Sequence, residues 1–194
     1  MHILHLQTSP LAAHSVSRRL GHELLQGLMT SVTTRDLALQ PLPHWSPTWA
    51  GDPAAQAEID QLMGSDVLVV EAPMYNFGLP STLKTWMDTV AQAGRTFHYT
   101  EQGPVGHLTH LKVIILSTRG GHYGEGHAMD FQEAHLRQFF GFLGVTPDRI
   151  QIVRAEGLAR GEAAQITAWK EARSAIQVVQ SQWLNPGNGL EAAA

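Results

Sequence analysis

The amino-acid sequence predicts an α/β fold in which helices cover both faces of a five-stranded parallel sheet. Two continuous apolar runs, residues 67–70 and 113–116, have the length and β-branched content of buried strands. Between strand-like runs, leucine and valine recur every three or four residues, the period of a helix with one buried face. Strands that alternate with helices imply parallel βαβ units.

The first strand covers residues 3–6, with His5 interrupting its apolar run. Val16, Leu20, Leu24 and Leu28 then mark an amphipathic helix, with Ser15 or Ser17 as its cap. The β-branched stretch 32–37 reads as the second strand. Pro41, Pro43 and Pro47 make a loop that carries Trp45 and Trp49. Asp52-Pro53 opens a helix, Asp at the cap and Pro in the first turn, that runs to Met63. The third strand, residues 67–70, ends in Glu71-Ala72-Pro73 and a loop to Pro80. Leu83, Met87 and Val90 mark the next helix. The fourth strand, 113–116, leads into Ser117-Thr118-Arg119-Gly120-Gly121. A helix from about Asp130 to Leu143, a strand at 150–153 and a helix from about Glu162 to Trp183 follow. Five such strands suit the flavodoxin-like order 2-1-3-4-5, whose ligand sits beyond the carboxyl ends of the strands. Residues 1–184 read as one domain and residues 185–194 as a flexible C-terminal tail.

Composition narrows the function. The 194 residues contain no cysteine, which excludes disulfides, thiolate metal sites and thiol nucleophiles and fits a reducing compartment such as the cytoplasm. A net charge of −4 gives no basic surface for nucleic acid. Charged residues are 15%, below the usual ~25%, and so lightly charged a surface favours a buried subunit interface. No basic leader is read at the N-terminus, and the apolar runs are far too short to span a bilayer.

The loops after the first, third and fourth strands carry the chemistry. Ser9, Ser15 and Ser17, with Val16 between the last two, lie where a loop feeds a helix N-terminus. Unpaired N–H groups and hydroxyls there attract a phosphate. The alternative is that the serines only cap the helix. Gly-Lys-Ser, Gly-Lys-Thr and a Gly-x-Gly-x-x-Gly after the first strand are all missing, which disfavours a Walker or Rossmann site. In the second loop Met74, Tyr75, Asn76 and Phe77 combine apolar walls with backbone donors and acceptors, as a flat heteroaromatic ring requires. The alternative is a loop whose aromatics close over the core. In the third, Thr118 and Arg119 precede Gly120 and Gly121, whose backbone can approach a ligand because neither carries a Cβ. A phosphate seat, a ring wall and an edge reader at three strand ends match the parts of FMN.

On these residues the chain resembles the FMN-dependent NADH:azoreductase family, also described as FMN-dependent NADH:quinone oxidoreductases. The resemblance is carried by Ala72-Pro73-Met74-Tyr75-Asn76-Phe77, Leu83-Lys84, Asp88, Ala93-Gly94 and Thr96-Phe97-His98-Tyr99-Thr100. Gly103-Pro104, Ser117-Thr118-Arg119-Gly120-Gly121, Gly141-Phe142-Leu143-Gly144 and Ala155-Glu156-Gly157 extend it across residues 1–180. It implies a flavodoxin-like homodimer with FMN at the interface. Its pattern puts the phosphate on Ser9, Ser15, Val16 and Ser17. The ring falls against Met74, Tyr75, Asn76, Phe77, Thr118, Arg119, Gly120 and Gly121, and Tyr99 and Phe142 line the substrate pocket. The stretch 41–52 is shorter than in typical members, so specificity is expected to differ.

The resemblance further implies that flavin N5 takes a hydride from NADH, and that a quinone or azo compound then collects two electrons at the same face. Such a cycle is ping-pong and needs no catalytic side chain; backbone N–H groups at Gly120 and Gly121, with Arg119, would stabilise the reduced ring. Rival readings are a flavodoxin-type electron carrier and a related reductase that prefers NADPH or uses FAD. A carrier needs a strongly acidic docking face, which a charge of −4 does not suggest. A hydrolase is disfavoured because no Gly-x-Ser-x-Gly elbow occurs. His107 and His110, and His122 and His127, lack a companion acid at a metal-binding spacing; they read as surface or loop histidines, and no metal is expected. Trp86, Trp169 and Trp183 read as core or interface residues.

Overall fold

The computed structural model describes residues 1–184. The expected tail, residues 185–194, lies outside the described residues. In chain order the elements begin with β1 (His2–Gln7), α1 (Val16–Leu25), β2 (Ser31–Asp36), α2 (Pro47–Ala50) and α3 (Pro53–Met63). Next come β3 (Val67–Pro73), α4 (Ser81–Val90), β4 (Phe97–Thr100), β5 (Gly103–Gly106) and β6 (Lys112–Thr118). The last are α5 (Glu133–Phe142), β7 (Ile150–Ala155) and α6 (Glu162–Val179). The large sheet runs β2-β1-β3-β6-β7, and every neighbouring pair is parallel. Without the small β4–β5 hairpin, that is the order 2-1-3-4-5.

Alternation along the strands builds two cores. Leu4, Leu6, Leu68, Val70, Val113 and Ile115 point to one face, where Ile59 and Leu62 of α3, Trp86 and Met87 of α4 and Phe140 of α5 cover them. Ile3, Val67, Val69, Ile114, Leu116 and Val153 point to the other, beneath Leu20 and Leu24 of α1 and Ala168, Ala172 and Ile176 of α6. Both faces are buried, so β3 and β6 read as continuous apolar runs rather than alternating ones. Trp86 is fully buried, and Trp169 and Trp183 pack partly buried against the second core.

Several boundaries differ from the sequence reading. Strand β2 begins at Ser31 and β3 continues to Pro73, because its last residues still pair with Ser117 and Thr118. Helix α5 starts at Glu133, not Asp130. Asp130 Oδ1 accepts the N–H groups of Gln132 and Glu133 (2.9 and 3.0 Å), an Asx cap ahead of the helix. Helix α6 ends at Val179, with a π-helical turn over Gln180–Leu184. Among the described residues no helix is long and apolar enough to cross a membrane.

The antiparallel hairpin β4–β5 was not expected from the sequence. It packs at the amino-terminal edge of the sheet. Leu108 donates to the Leu143 carbonyl (2.8 Å), and a Cβ on Gly106 would lie 1.9 Å from the Leu143 carbonyl carbon. Only glycine permits that backbone-on-backbone contact.

Candidate functional site

At the opposite, carboxyl-terminal edge, the loops after β1, β3 and β6 meet in a crevice of about 160 Å³. Ser9, Ser15, Val16, Met74, Tyr75, Thr118, Arg119 and Gly120 form its wall, joined by Leu11, His14, Pro73 and Leu158. Ser17, Asn76, Phe77 and Gly121 adjoin these residues in the chain without lining the crevice. The stretch 41–52 is absent from the wall; Trp49 instead donates its indole N–H to Thr89 Oγ1 (3.0 Å).

The first loop gathers three serines at the start of α1. Ser15 is the cap of α1: its Oγ accepts the Arg18 N–H (3.4 Å) and lies 2.9 Å from Ser17 Oγ. Ser9, Ser15 and Ser17 are all buried, and the first turn of α1 carries no acid. The N–H groups of Val16 and Ser17 precede any intrahelical acceptor, so they are oriented for an anion. The Ser9 hydroxyl lies 3.3 Å from the Tyr75 hydroxyl and ties this loop to the next.

The second loop is a tight turn. Tyr75 and Gly78 exchange both backbone hydrogen bonds (3.2 and 3.0 Å), with Asn76 at φ 49° and Phe77 at φ 68° between them. Two central residues in the left-handed region define a type I′ turn. Asn tolerates that region; Phe does not, and such strain concentrates at functional sites. Phe131 N–H holds the Phe77 carbonyl (3.2 Å), and Met74 N–H holds that of Thr118 (2.9 Å). In the third loop the N–H groups of Gly120 and Gly121 have no acceptor among the described residues, while their carbonyls bind Ala159 and Gly157 (3.0 and 2.8 Å).

Arg119 is turned inward. Its guanidinium is buried, with Nη2 against Glu133 Oε1 (2.6 Å) and Asp130 Oδ2 (2.8 Å) and Nη1 against Glu156 Oε1 (3.0 Å). Its Nε donates to Ser117 Oγ (2.9 Å). The expectation that this cation helps stabilise a ring edge is therefore corrected: only the Arg119 backbone is available to the crevice. Glu133 also takes both hydrogen bonds of Arg154 (2.7 Å each), which raise the Arg154 guanidinium pKa further. Glu156 accepts the N–H of Tyr123 and Gly124, so the buried cluster anchors the whole glycine-rich loop.

Tyr99 and Phe142 do come together, but not at this crevice. The Phe97 ring bridges them, 5.3 Å from Tyr99 and 4.5 Å from Phe142. The cluster lies at the amino-terminal edge, where α5 ends beside the hairpin. Strands of six or seven residues at ~3.3 Å each put about 20 Å between the two edges. Tyr99 is nonetheless 72% exposed. His107 pairs with His98 rather than His110 (Nε2···Nδ1 2.7 Å). A carbonyl only accepts, so His107 Nδ1 donates to the Arg95 carbonyl (2.7 Å). Among the described residues no group of three or more His, Cys, Asp or Glu is arranged to hold a metal ion.

Sequence reasoning missed Leu158, which enters from the loop after the fifth large-sheet strand, and the acids around Arg119. The spacing of those acids from Arg119 carries no motif.

The fold and the crevice define a class: a doubly wound α/β protein whose crevice joins a serine-capped helix start to unpaired backbone donors at successive strand ends. The chain belongs to the flavodoxin-like-fold family, which it matches over residues 1–179. It is 45% identical over 206 residues to an FMN-dependent NADH:quinone oxidoreductase of Ralstonia nicotianae, covering 94% of this chain and 98% of the relative. It is 44% identical over 191 residues to a protein of the same name from Xanthomonas oryzae pv. oryzae, covering 93% and 97%. Among solved structures, an azoreductase from Bacillus anthracis str. Sterne shares the fold with a TM-score of 0.83 at 24% identity, covering 93% of this chain and 99% of that one. An FMN complex of an FMN-dependent NADH-azoreductase from Bacillus anthracis str. Ames Ancestor gives 0.79 at 24%, covering 92% and 98%.

Proposed function

We propose that this protein is an FMN-dependent NADH:quinone oxidoreductase working by two-electron ping-pong turnover, one turnover reducing a quinone to its quinol and two successive turnovers, with two NADH, taking an azo compound through the hydrazine to two amines. The observation that carries the reading is the joining of three loops at one crevice, each with groups that fit one part of FMN. The buried serine hydroxyls and the Val16 and Ser17 N–H groups suit the phosphate. Met74 and Tyr75 supply a ring wall, held by the turn of the adjoining Asn76 and Phe77, and the Gly120 N–H, with that of the adjoining Gly121, suits its carbonyl edge. The names of the relatives support the same cofactor, donor and acceptor.

FMN held by these residues would supply the two-electron chemistry between NADH and the acceptor. The chain binds and orients. Preorganised N–H groups at Gly120 and Gly121 favour negative charge where it accumulates on reduction. The strained Asn76-Phe77 turn holds the wall at a fixed height. No side chain is assigned as acid, base or nucleophile.

A crevice of about 160 Å³ is small beside the ~300–1,000 Å³ of typical ligand sites. Homodimerisation supplies the rest: the exposed Tyr99, with Phe142 behind it, reaches the crevice of a second copy and lines the acceptor pocket there. Residues 1–184 act as one domain in the cytoplasm, without nucleic acid or membrane as partner. Because donor and acceptor share one face, initial rates at several fixed quinone concentrations are expected to give parallel double-reciprocal lines against NADH. Intersecting lines would mean that both bind together and would overturn the shared face. Sedimentation of the FMN-loaded protein is expected to give a dimer; a monomer overturns the second-copy assignment.

A further inference from the structure

Arg18 lies in the first turn of α1, one residue beyond Ser17, yet its side chain points into the protein. Nη2 donates to the Ser9 carbonyl (3.0 Å) and Nη1 to Gln7 Oε1 (2.8 Å). The same two nitrogens clamp the Asp36 carboxylate (2.6 and 3.0 Å). Meanwhile the Arg18 backbone N–H donates to Ser15 Oγ (3.4 Å). One residue thus holds both ends of the loop 9–15, by its side chain at Ser9 and by its main chain at Ser15.

That loop needs holding. Ala12 sits at φ 46°, a left-handed conformation that an L residue with a Cβ adopts only under strain. The clamp itself is anchored. Asp36 ends β2, and its Oδ1 also accepts the N–H groups of Ala38 and Leu39 (3.0 and 3.1 Å). Burial alone would raise its pKa, but the Arg18 bond and these N–H groups prevail and hold its carboxyl below the ordinary range. Gln7 reaches back to Glu71 (3.4 Å), which is buried on β3 against His5 (2.9 Å). The support therefore runs from the two central strands and the edge strand to the anion seat.

We propose that Arg18 is a positioning residue for the phosphate seat, with Asp36 and Gln7 fixing Arg18 in turn; this rests on the FMN reading above. Arg18 does not act as a ligand cation. Both Nη atoms are committed to protein oxygens, Nε is buried, and Asp36 neutralises the charge. Its effect is geometric: it sets where Ser9, Ser15 and the first N–H groups of α1 point.

The test compares two ligands that share the ring but differ in the phosphate. Binding of FMN and of riboflavin to apoprotein is measured by fluorescence quenching for wild type, Arg18→Met and Asp36→Asn, with folding checked by circular dichroism. Wild type is expected to prefer FMN. Arg18→Met is expected to weaken FMN about ten- to a hundredfold, the scale on which outer hydrogen-bond partners act elsewhere, while riboflavin stays within about twofold. Asp36→Asn makes the region more positive but loosens the clamp, so it also weakens FMN. Tighter FMN binding by Asp36→Asn would show that charge rather than geometry matters and would overturn the assignment. So would a folded Arg18→Met protein that leaves the FMN-to-riboflavin ratio unchanged; should that variant not fold, Asp36→Asn carries the same comparison. Wild-type protein that binds neither ligand overturns the flavin reading, and this assignment with it.

Discussion

Replacing Arg119 by Met is expected to lower the free energy of unfolding by about 3–5 kcal/mol, the cost of leaving buried carboxylates without their cation. Asp130, Glu133 and Glu156 all converge on the Arg119 guanidinium, and Arg154 answers only Glu133. The loss is a large part of the 5–15 kcal/mol that holds an ordinary domain folded. Urea denaturation checks it, with the midpoint falling and the slope unchanged. Adding Glu156→Gln to the Arg119→Met protein removes one stranded charge and is expected to recover part of the loss. A single-variant change below about 1 kcal/mol, the scale of an exposed ion pair, would show that the cluster is solvated. The Tyr123 and Gly124 N–H groups hang on Glu156, so the variant is also expected to loosen the crevice's third loop.

The second large effect separates binding from stability. Ser15→Asp keeps a good helix cap and places a negative charge at the positive end of α1, so the melting temperature is expected to hold or rise. The same carboxylate occupies the anion seat. Two like charges about 4 Å apart repel by roughly 4 kcal/mol at an effective dielectric constant of 20. FMN affinity is therefore expected to fall by a hundredfold or more while riboflavin affinity changes little. Ser15→Asn, a neutral cap, is the control and retains most of the FMN affinity. Equal losses for both ligands in the aspartate variant would place the phosphate elsewhere.

The sheet was legible because burial on both faces writes itself as unbroken apolar runs at residues 67–70 and 113–116. Asp52-Pro53 announced its helix by cap chemistry, and of the two serines offered for the first helix it is Ser15 that caps it. The β4–β5 hairpin was illegible for the converse reason. Its Gly103-Pro104-Val105-Gly106 strand lies at an exposed margin, carries a proline and follows no alternating pattern. The anion-seat and turn residues could be located because strand ends fix where their loops go. What no local pattern records is direction. Arg119 faces inward because of acids at 130, 133 and 156, and Tyr99 and Phe142 gather around Phe97, outside the crevice lining. Both facts follow from long-range packing, as does the inward turn of Arg18, for which the sequence carries no local signal.

The absorption spectrum of the purified protein with added FMN, recorded anaerobically before and after NADH and again after a quinone, tests the central claim most directly. The account predicts a protein-bound flavin band, about one per chain, that bleaches with NADH and returns with the quinone. A bound flavin that NADH leaves unbleached would instead describe an electron carrier, and protein that binds no flavin at all would contradict the reading of the crevice itself.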